Sequence, residues 1–464
     1  MSMENFWDSN VCGFFNLMAV LLLSLLAATV LRKTVKGLNE SLIPTSVLGG
    51  GVLLVISAFY KLFTGANMFD TQFFGGNGMS MLELITYHAL SLGFIASTFK
   101  TSDKKMTKAR TVEIFNTGVT TVATYLLQAG VGMAITISAA LIASNVFPAS
   151  GLLLALGYGQ GTGQAMNYGN IYEVEFGFAG GKSFGLTIAA MGFLCASIGG
   201  VIHMTIMKRR GLLRNASHEE GKMMEEEIQS GNEIPMQDSI DKMTIQIALV
   251  TVAYLIAYVM MLVLGNVLPG MKSVIYGFNF LLGVLSATVL KVSIRAFRNK
   301  GIMKKEYINN FLMTRVSNFF FDIMVVAGIA AIRLGALMDY WFILLLLGLV
   351  GAAITFIYIR FVTGKLFRAY REEQFLAMYG MLTGTASTGV ILLREIDGHF
   401  KTPAADNLVY QNFPAMVFGF PLMLLAAAAP RNPVLIMGVV FCMAIVMNVI
   451  LFRSFIFRRK KTKV

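Results

Sequence analysis

Two short stretches of the chain combine glycines with hydroxyl and amide side chains in otherwise apolar surroundings. One is LGYGQGTGQAMNYGN, which begins at Leu156, and the other is YGMLTGTASTG, which begins at Tyr379. Glycine inside a helix costs up to about 1 kcal/mol relative to alanine, so both stretches favour interrupted helices. An interrupted helix exposes backbone amides and carbonyls, together with helix ends whose dipoles favour charged ligands.

These groups suit a particular pair of ligands. A helix N-terminus suits a carboxylate, and carbonyl and hydroxyl oxygens suit Na⁺, a hard cation that prefers oxygen. We therefore predict that the two stretches bind a small carboxylate-bearing solute together with Na⁺. The residues predicted to form this site are Gly159, Gln160, Gly161, Thr162, Gly163, Thr383, Gly384, Thr385, Ser387 and Thr388.

Asp322 is a further candidate, because it lies in the middle of the apolar segment SNFFFDIMVVAGIAAI. A carboxylate at membrane depth is costly and is by default a functional hypothesis. It would bind the cation, or the ammonium group of an amino-acid substrate. The alternative is an ion pair with Arg315 on the same helical face. Asp322 completes our predicted set of Na⁺ ligands, of which the other two members are Thr162 and Thr385.

Structural explanations exist for the other polar residues in apolar segments. The glycines would also allow close helix packing. No strand precedes GYGQGTG, which argues against a nucleotide-binding loop. His88 favours a neutral, hydrogen-bonded histidine over a proton relay. Four amide side chains favour hydrogen bonds between helices: Asn116, Gln128, Gln411 and Asn412.

The composition indicates which elements position these residues. Hydrophobic residues make up 56% of the 464 and charged residues 14%, with a mean hydropathy of +0.68. A soluble domain needs more polar surface, whereas roughly 20 apolar residues suffice for a transmembrane helix. We predict an all-α membrane protein with about eleven transmembrane helices, at residues 11–31, 43–63, 79–99, 112–143, 183–207, 245–264, 274–290, 310–332, 340–359, 407–429 and 434–451.

Positive charge is distributed along the chain as a multi-pass topology requires. With the N-terminus outside and the C-terminus in the cytoplasm, nearly all of the 38 Lys and Arg residues fall on the cytoplasmic face. The exceptions are Lys61, Lys182, Lys272, Arg333 and Arg431. The net charge of +13 therefore indicates a membrane topology and contact with lipid headgroups, not nucleic-acid binding.

The two halves of the chain resemble each other weakly. Pro44 and Pro269 each open a predicted span, and the Gly161–Thr162 pair corresponds to Gly384–Thr385 at nearly the same separation. Each half has five crossings, so the second half is predicted to be inverted, a transporter signature. The predicted organisation is a first repeat with a re-entrant segment at 149–170, a cytoplasmic linker, a second repeat with a re-entrant segment at 376–394, and a last helix with a basic tail. These parts cover residues 1–207, 208–243, 244–430 and 431–464.

The sequence resembles the bacterial glutamate:sodium symporter family in several motifs. They are IPTSVLGGG, LGFIAS, LLQAGVGMA, GYGQGTG, the Leu-Pro opening of the seventh span and the glycine-rich segment after the ninth. The resemblance implies Na⁺-coupled uptake of L-glutamate by a homodimer in the inner membrane, with an elevator-like motion. The chain departs from the family pattern at Tyr158 and Gln160, where the family has glycine and histidine, and in its additional eleventh span.

The sequence favours a secondary transporter over other functions. The leading hypothesis is Na⁺-coupled symport of glutamate or a related small carboxylate across the cytoplasmic membrane, without a cofactor. Alternatives on the same scaffold are another dicarboxylate, a neutral amino acid, or H⁺ as the coupling ion. A passive channel and a membrane-embedded acyltransferase are rivals from other classes. Only four histidines are present, which disfavours such an enzyme.

Overall fold

Long apolar helices dominate the structure. The computed structural model describes residues 9–40, 42–100, 107–210, 241–302, 307–397 and 401–456, in which all regular structure is helical. Ten helices in these ranges are long and apolar enough to cross a membrane. The chain is thus an all-helical, multi-pass membrane protein by its length and apolar composition. The number of crossings, the repeats, the orientation and the membrane involved stay predictions.

The helices are numbered here in chain order. They are α1 Ser9–Thr34, α2 Lys36–Glu40, α3 Thr45–Thr64, α4 Gly78–Phe99, α5 Lys108–Ala140, α6 Leu153–Gln160, α7 Thr162–Phe176, α8 Gly181–Arg209, α9 Lys242–Val267, α10 Lys272–Gly277, α11 Asn279–Asn299, α12 Asn310–Ala330, α13 Trp341–Leu366, α14 Arg371–Thr383, α15 Ala386–Arg394, α16 Ala404–Tyr410, α17 Asn412–Ala428, α18 Pro433–Leu451 and α19 Arg453–Ile456. Short 3-10 helices occur at Met68–Asp70, Gln72–Phe74, Pro148–Leu152, Pro269–Met271, Leu334–Leu337 and Arg368–Tyr370.

Two predicted spans are divided in the structure. Residues 274–290 fall into α10 and α11, which meet at Phe278. Residues 407–429 fall into α16 and α17, which meet at Gln411. Pro414 explains the break, because it has no amide hydrogen to donate to the carbonyl of Tyr410. The helix that follows also contains Pro421 and is too short to be counted among the ten. Most of the predicted linker, residues 211–240, lies outside the described ranges.

The chain forms two compact units, each built from segments that are distant in sequence. The first comprises Met1–Leu82, Lys105–Ala216 and Val326–Val464, and the second comprises Glu83–Lys104 and Ser217–Val325. These units follow spatial proximity, and the predicted repeat boundaries stay predictions. Both glycine-rich stretches belong to the first unit, whereas Asp322 and His88 belong to the second.

The second unit is held together by an apolar core and a few polar contacts. The core includes Phe99, Val250 and Met313, which are almost fully buried. The Tyr87 hydroxyl donates to the carbonyl of Tyr276 at 2.7 Å. Four helices of this unit, α4, α9, α11 and α12, contribute to this core.

Candidate functional site

The first glycine-rich stretch forms a helical hairpin. At its base, the ring of Phe147 stacks on Phe178 with centroids 4.8 Å apart and lies 5.6 Å from Tyr172, so the segment returns to where it began. α6 runs away from this base and α7 returns to it. Gly161 joins the two helices with φ 82° and ψ −171°. That conformation is essentially restricted to glycine, which is why the chain turns there. We call residues 159–163 the first tip.

Close packing accounts for the neighbouring glycines. Gly157, Gly159 and Gly169 lie within helices, not at breaks. A Cβ added to Gly159 would overlap the ring of Tyr125, and one added to Gly169 would overlap the carbonyl oxygen of Gly181. Only one of the stretch's glycines interrupts a helix, and these three bring helices together, as in other small-residue interfaces.

The second stretch also folds into a hairpin. α14 and α15 approach so closely that a Cβ on Gly380 would lie 2.8 Å from the Cα of Gly389. The turn between them is Gly384–Thr385, and the Thr385 side chain caps α15 by accepting from the Thr388 amide at 3.4 Å. We call residues 383–388 the second tip.

α5 contacts both hairpins along its length. Near its end, the Thr136 hydroxyl donates to the carbonyl of Pro148 at 2.7 Å, and in its middle Tyr125 donates to the carbonyl of Gly159 at 2.9 Å. α6 therefore runs antiparallel to α5. Gln374 donates to Thr117 at 3.4 Å, so α14 begins beside the first half of α5.

Gln128 completes this arrangement at the second tip. Its amide nitrogen donates to the carbonyl of Leu382 at 2.9 Å and to the Thr355 hydroxyl at 2.8 Å. α14 thus runs parallel to α5, and the hairpins enter from opposite ends of α5. Tyr125 and Gln128 lie three residues apart on α5. Each donates to a carbonyl at the C-terminal end of a hairpin's first helix, α6 or α14, where carbonyls have no amide partner within their own helix.

The two tips lie next to each other. A Cβ added to Gly161 would lie 3.5 Å from the Cγ2 of Thr385, at ordinary van der Waals distance. α8 lies against the same place, because a Cβ on Gly192 would overlap the carbonyl oxygen of Thr383. Four helix ends, those of α6, α7, α14 and α15, therefore lie close together in the first unit.

Buried polar groups without protein partners lie beside these helix ends. Within the described part of the chain, Thr162 Oγ1 and both amide atoms of Gln164 have no hydrogen-bond partner, although the two residues are at most 1% exposed. No side chain caps the N-terminus of α7, where these residues sit. An unpaired buried amide costs about 1–3 kcal/mol, so a ligand or water is expected there.

The position of Gln164 follows from its helix. Tyr168 and Tyr172, on the same face of α7, donate to the carbonyls of Met423 and Ala426 at 3.0 and 2.7 Å. Extending this register by one turn places Gln164 near the part of α17 that Pro421 interrupts.

The structure brings most of the predicted site residues together. Gly159, Gly161, Thr162 and Gly163 are buried at the first tip, and Gln160 is half-buried. Thr383, Gly384 and Thr388 are buried at the second tip, with Thr385 half-buried. The side chain of Ser387 lies outside what the structure describes. Binding of a solute or of Na⁺ by these residues stays a prediction.

Asp322 and His88 belong to the second unit. Asp322 lies on α12 with an exposed side chain. The guanidinium of Arg315, its predicted alternative partner, lies 5.0 Å from the ring centroid of Phe311. His88 Nδ1 lies 2.5 Å from the Tyr254 hydroxyl, a contact that fits a hydrogen-bonded histidine. The role of Asp322 in Na⁺ binding stays a prediction.

An ion cluster ties down the base of the second hairpin. Glu372 accepts from Arg360 at 2.7 and 2.8 Å and lies 2.9 Å from His203 Nε2. Burial alone would raise the pKa of the Glu372 carboxyl, but hydrogen bonds and charge from His203 and Arg360 outweigh it and lower the pKa to about 2. The carboxylate is therefore ionised at physiological pH and links α14 to α8 and α13.

No model of a known protein family matches the chain, and no curated protein sequence does either. The chemistry of the tips is therefore argued from this molecule alone. Sequence reasoning missed Tyr125 and Gln164. It predicted hydrogen bonds between helices for Gln128, and the structure shows them to Thr355 and Leu382. The signal available in the sequence was the position of these three polar residues. Each lies one or two turns from a predicted helix interruption, or on the helix that packs beside one.

Proposed function

We propose that the chain is a secondary active transporter that couples Na⁺ to the symport of glutamate or a related small carboxylate, as its resemblance to the bacterial glutamate:sodium symporters implies. The observation that carries the proposal is the close approach of the two hairpin tips beside the uncapped N-terminus of α7. Non-helical backbone at membrane depth is tolerated where it is enclosed by protein or lines a cavity. Opposed hairpins that meet near the middle of a protein are typical of transporter binding sites.

The chemistry at the first tip supports a solute with both acceptor and donor groups. The free amides at the start of α7, on the positive end of its dipole, suit a carboxylate. Gln164 adds an unpartnered donor and an unpartnered acceptor, and Thr162 adds a hydroxyl. An amino acid with an ammonium group and a carboxylate would satisfy all three. At the second tip, the N-terminus of α15 already has Thr385 as its cap, so we place the carboxylate at the first tip.

Uptake by reconstituted protein tests this proposal. Full-length protein in proteoliposomes is given labelled glutamate, aspartate or succinate, with an inward gradient of Na⁺, of H⁺ or of neither. We expect accumulation above equilibrium that requires Na⁺. Accumulation driven only by H⁺ would show that H⁺, and not Na⁺, is the coupling ion. Equilibration without accumulation under any gradient would indicate a passive channel and refute the proposal.

Two substitutions locate the solute. Gln164→Leu and Thr162→Val keep side-chain volume but remove the unpartnered polar groups, so each should weaken uptake by about tenfold, a usual cost for one lost hydrogen bond to a charged group. Gln246→Leu is the matched control, since Gln246 is equally buried and its amide is fully bonded to Lys242, Tyr307 and Asn309. Unchanged uptake in both tip variants would remove the first tip from the binding site.

A further inference from the structure

A buried row of polar side chains runs along α5 from its N-terminal part to the second tip. Thr117, Thr121, Thr124 and Gln128 are spaced so that they share one face of the helix, and all four are fully buried. Thr117 faces Gln374 and Gln128 faces Leu382, so this face looks onto α14. We call this row, with Asn407 and Gln411 opposite it on α16 and its end, the polar column.

The hydroxyl hydrogens of the column point away from it. Thr117, Thr121 and Thr124 donate to carbonyls of their own helix at 2.7–3.1 Å, so their oxygens act as acceptors, and that of Thr117 already accepts from Gln374. Thr383, at the upper end, likewise donates to the carbonyl of Tyr379 at 2.6 Å. The hydroxyls of the column are therefore present as acceptors.

The amide side chains have the same polarity. Asn407 donates its amide hydrogens to the Tyr370 hydroxyl at 3.1 Å and to Gln374 at 2.9 Å, and Gln128 donates to Thr355 and Leu382. Within the described residues, the carbonyl oxygens of Gln128, Asn407 and Gln411 are buried without a hydrogen-bond donor. Turning any of these amides over would lose the bonds its nitrogen makes, so the oxygens are held as free acceptors.

From this arrangement we infer that a monovalent alkali cation lies at the upper end of the polar column, where Gln128 and Gln411 bond two adjacent residues of α14, Leu382 and Met381. Buried neutral oxygens from carbonyls and hydroxyls are the ligands with which proteins replace the water around Na⁺ and K⁺. A divalent ion would call for carboxylates among its ligands.

This site differs from the Na⁺ ligands predicted at the tips, Thr162, Thr385 and Asp322. It includes Gln128, which also bonds the second tip, so the occupant of the column and the geometry of that tip share one side chain. Identifying the bound ion as the coupling ion rests on the proposed function. The site itself is tested without transport.

Binding of ²²Na⁺ to purified full-length protein, at constant ionic strength in choline chloride, tests the inference. Gln411→Leu is the informative variant. Among the described residues, the Gln411 nitrogen bonds the Met381 sulfur, Asn412 and, at 3.5 Å, Leu408, so little else is lost. We expect it to weaken Na⁺ affinity about tenfold, as for one lost ligand to a charge. Gln411→Glu should bind Na⁺ more tightly, with a tightening that disappears on acidification, and Gln246→Leu should bind as the wild type.

Three results decide the matter. If wild-type protein binds no Na⁺, and unlabelled K⁺ or Li⁺ does not stabilise it against heat, the inference fails. If both Gln411 variants bind as the wild type, the oxygens hold ordered water only and the inference also fails. If Gln411→Leu does not fold, Gln411→Glu, which keeps the side-chain length and the oxygen, gives the answer alone. Na⁺ binding that depends on Gln411 in a protein whose solute uptake ignores Na⁺ would support the column and refute the coupling proposed above.

Discussion

Replacement of Gly161 by alanine tests the turn on which the first tip depends. With φ 82° and ψ −171°, the residue occupies a region that alanine reaches only at a cost of about 1–3 kcal/mol. The added methyl group would lie 3.5 Å from Thr385 Cγ2, an ordinary contact, so steric overlap contributes little. We therefore expect Gly161→Ala to lower the free energy of unfolding by about 1–3 kcal/mol, all of it backbone strain.

Equilibrium unfolding by SDS in mixed micelles measures this difference. Gly51→Ala is the matched control, because none of the described residues lies within 4 Å of its added Cβ. It sits inside α3, where alanine should stabilise by up to about 1 kcal/mol. The double variant Gly161→Ala, Thr385→Ser separates strain from contact, since serine lacks the Cγ2. A destabilisation that vanishes in the double variant would assign the cost to contact, and wild-type stability of Gly161→Ala would show that the turn does not adopt this conformation.

Two further predictions concern the groups that hold the hairpins. Tyr125→Phe leaves the carbonyl of Gly159 without its donor and should destabilise the protein by about 1–3 kcal/mol in the same unfolding assay. The control is Tyr258→Phe, at a side chain that is 45% exposed, which should change stability by less than about 0.5 kcal/mol. Equal effects of the two substitutions would contradict the hydrogen bond from Tyr125 to Gly159. Because the pKa of Glu372 falls from its ordinary value of 4.5 to about 2 on folding, the stabilisation it gives is complete above pH 4.5 and is lost as pH falls toward 2, and Glu372→Gln should remove this part of the acid dependence. Thermal midpoints between pH 6 and pH 3 measure it, and parallel curves for the two proteins would contradict the ion cluster.

The helix breaks in the two glycine-rich stretches were predictable from sequence, but the roles of the individual glycines were not. A dense run of glycines in an apolar chain disfavours a continuous helix, and the helices end at Gly161 and Gly384. The spacing of these glycines did not distinguish Gly161, which turns the chain, from Gly159, which makes room for Tyr125. That distinction depends on which helix packs alongside, and local sequence does not contain it.

Partners distant in sequence were the least predictable feature. Gln128 was predicted to form hydrogen bonds between helices, because an amide in an apolar segment commonly does so. Its bonds to Thr355 and Leu382 depend on α13 and α14 being folded against α5. The division of residues 407–429 was more accessible, since Pro414 alone predicts a missing bond to Tyr410. The class of the protein was predictable from its hydrophobicity, whereas the hydrogen-bond partners within the site depend on tertiary contacts.

The reach of α5 across the chain has a consequence for how the protein is made. Tyr125 finds its acceptor 34 residues further on, whereas the partners of Gln128 follow 227 and 254 residues later. At about 5–20 residues per second, the ribosome needs roughly 10–50 s to supply them. During that interval the Gln128 amide of the partly synthesised chain has neither of its native acceptors, and the surrounding lipid offers none. Assembly of the second hairpin thus gives the Gln128 amide its acceptor on α14. A nascent chain that stalls before α14 should be an early target for membrane quality control.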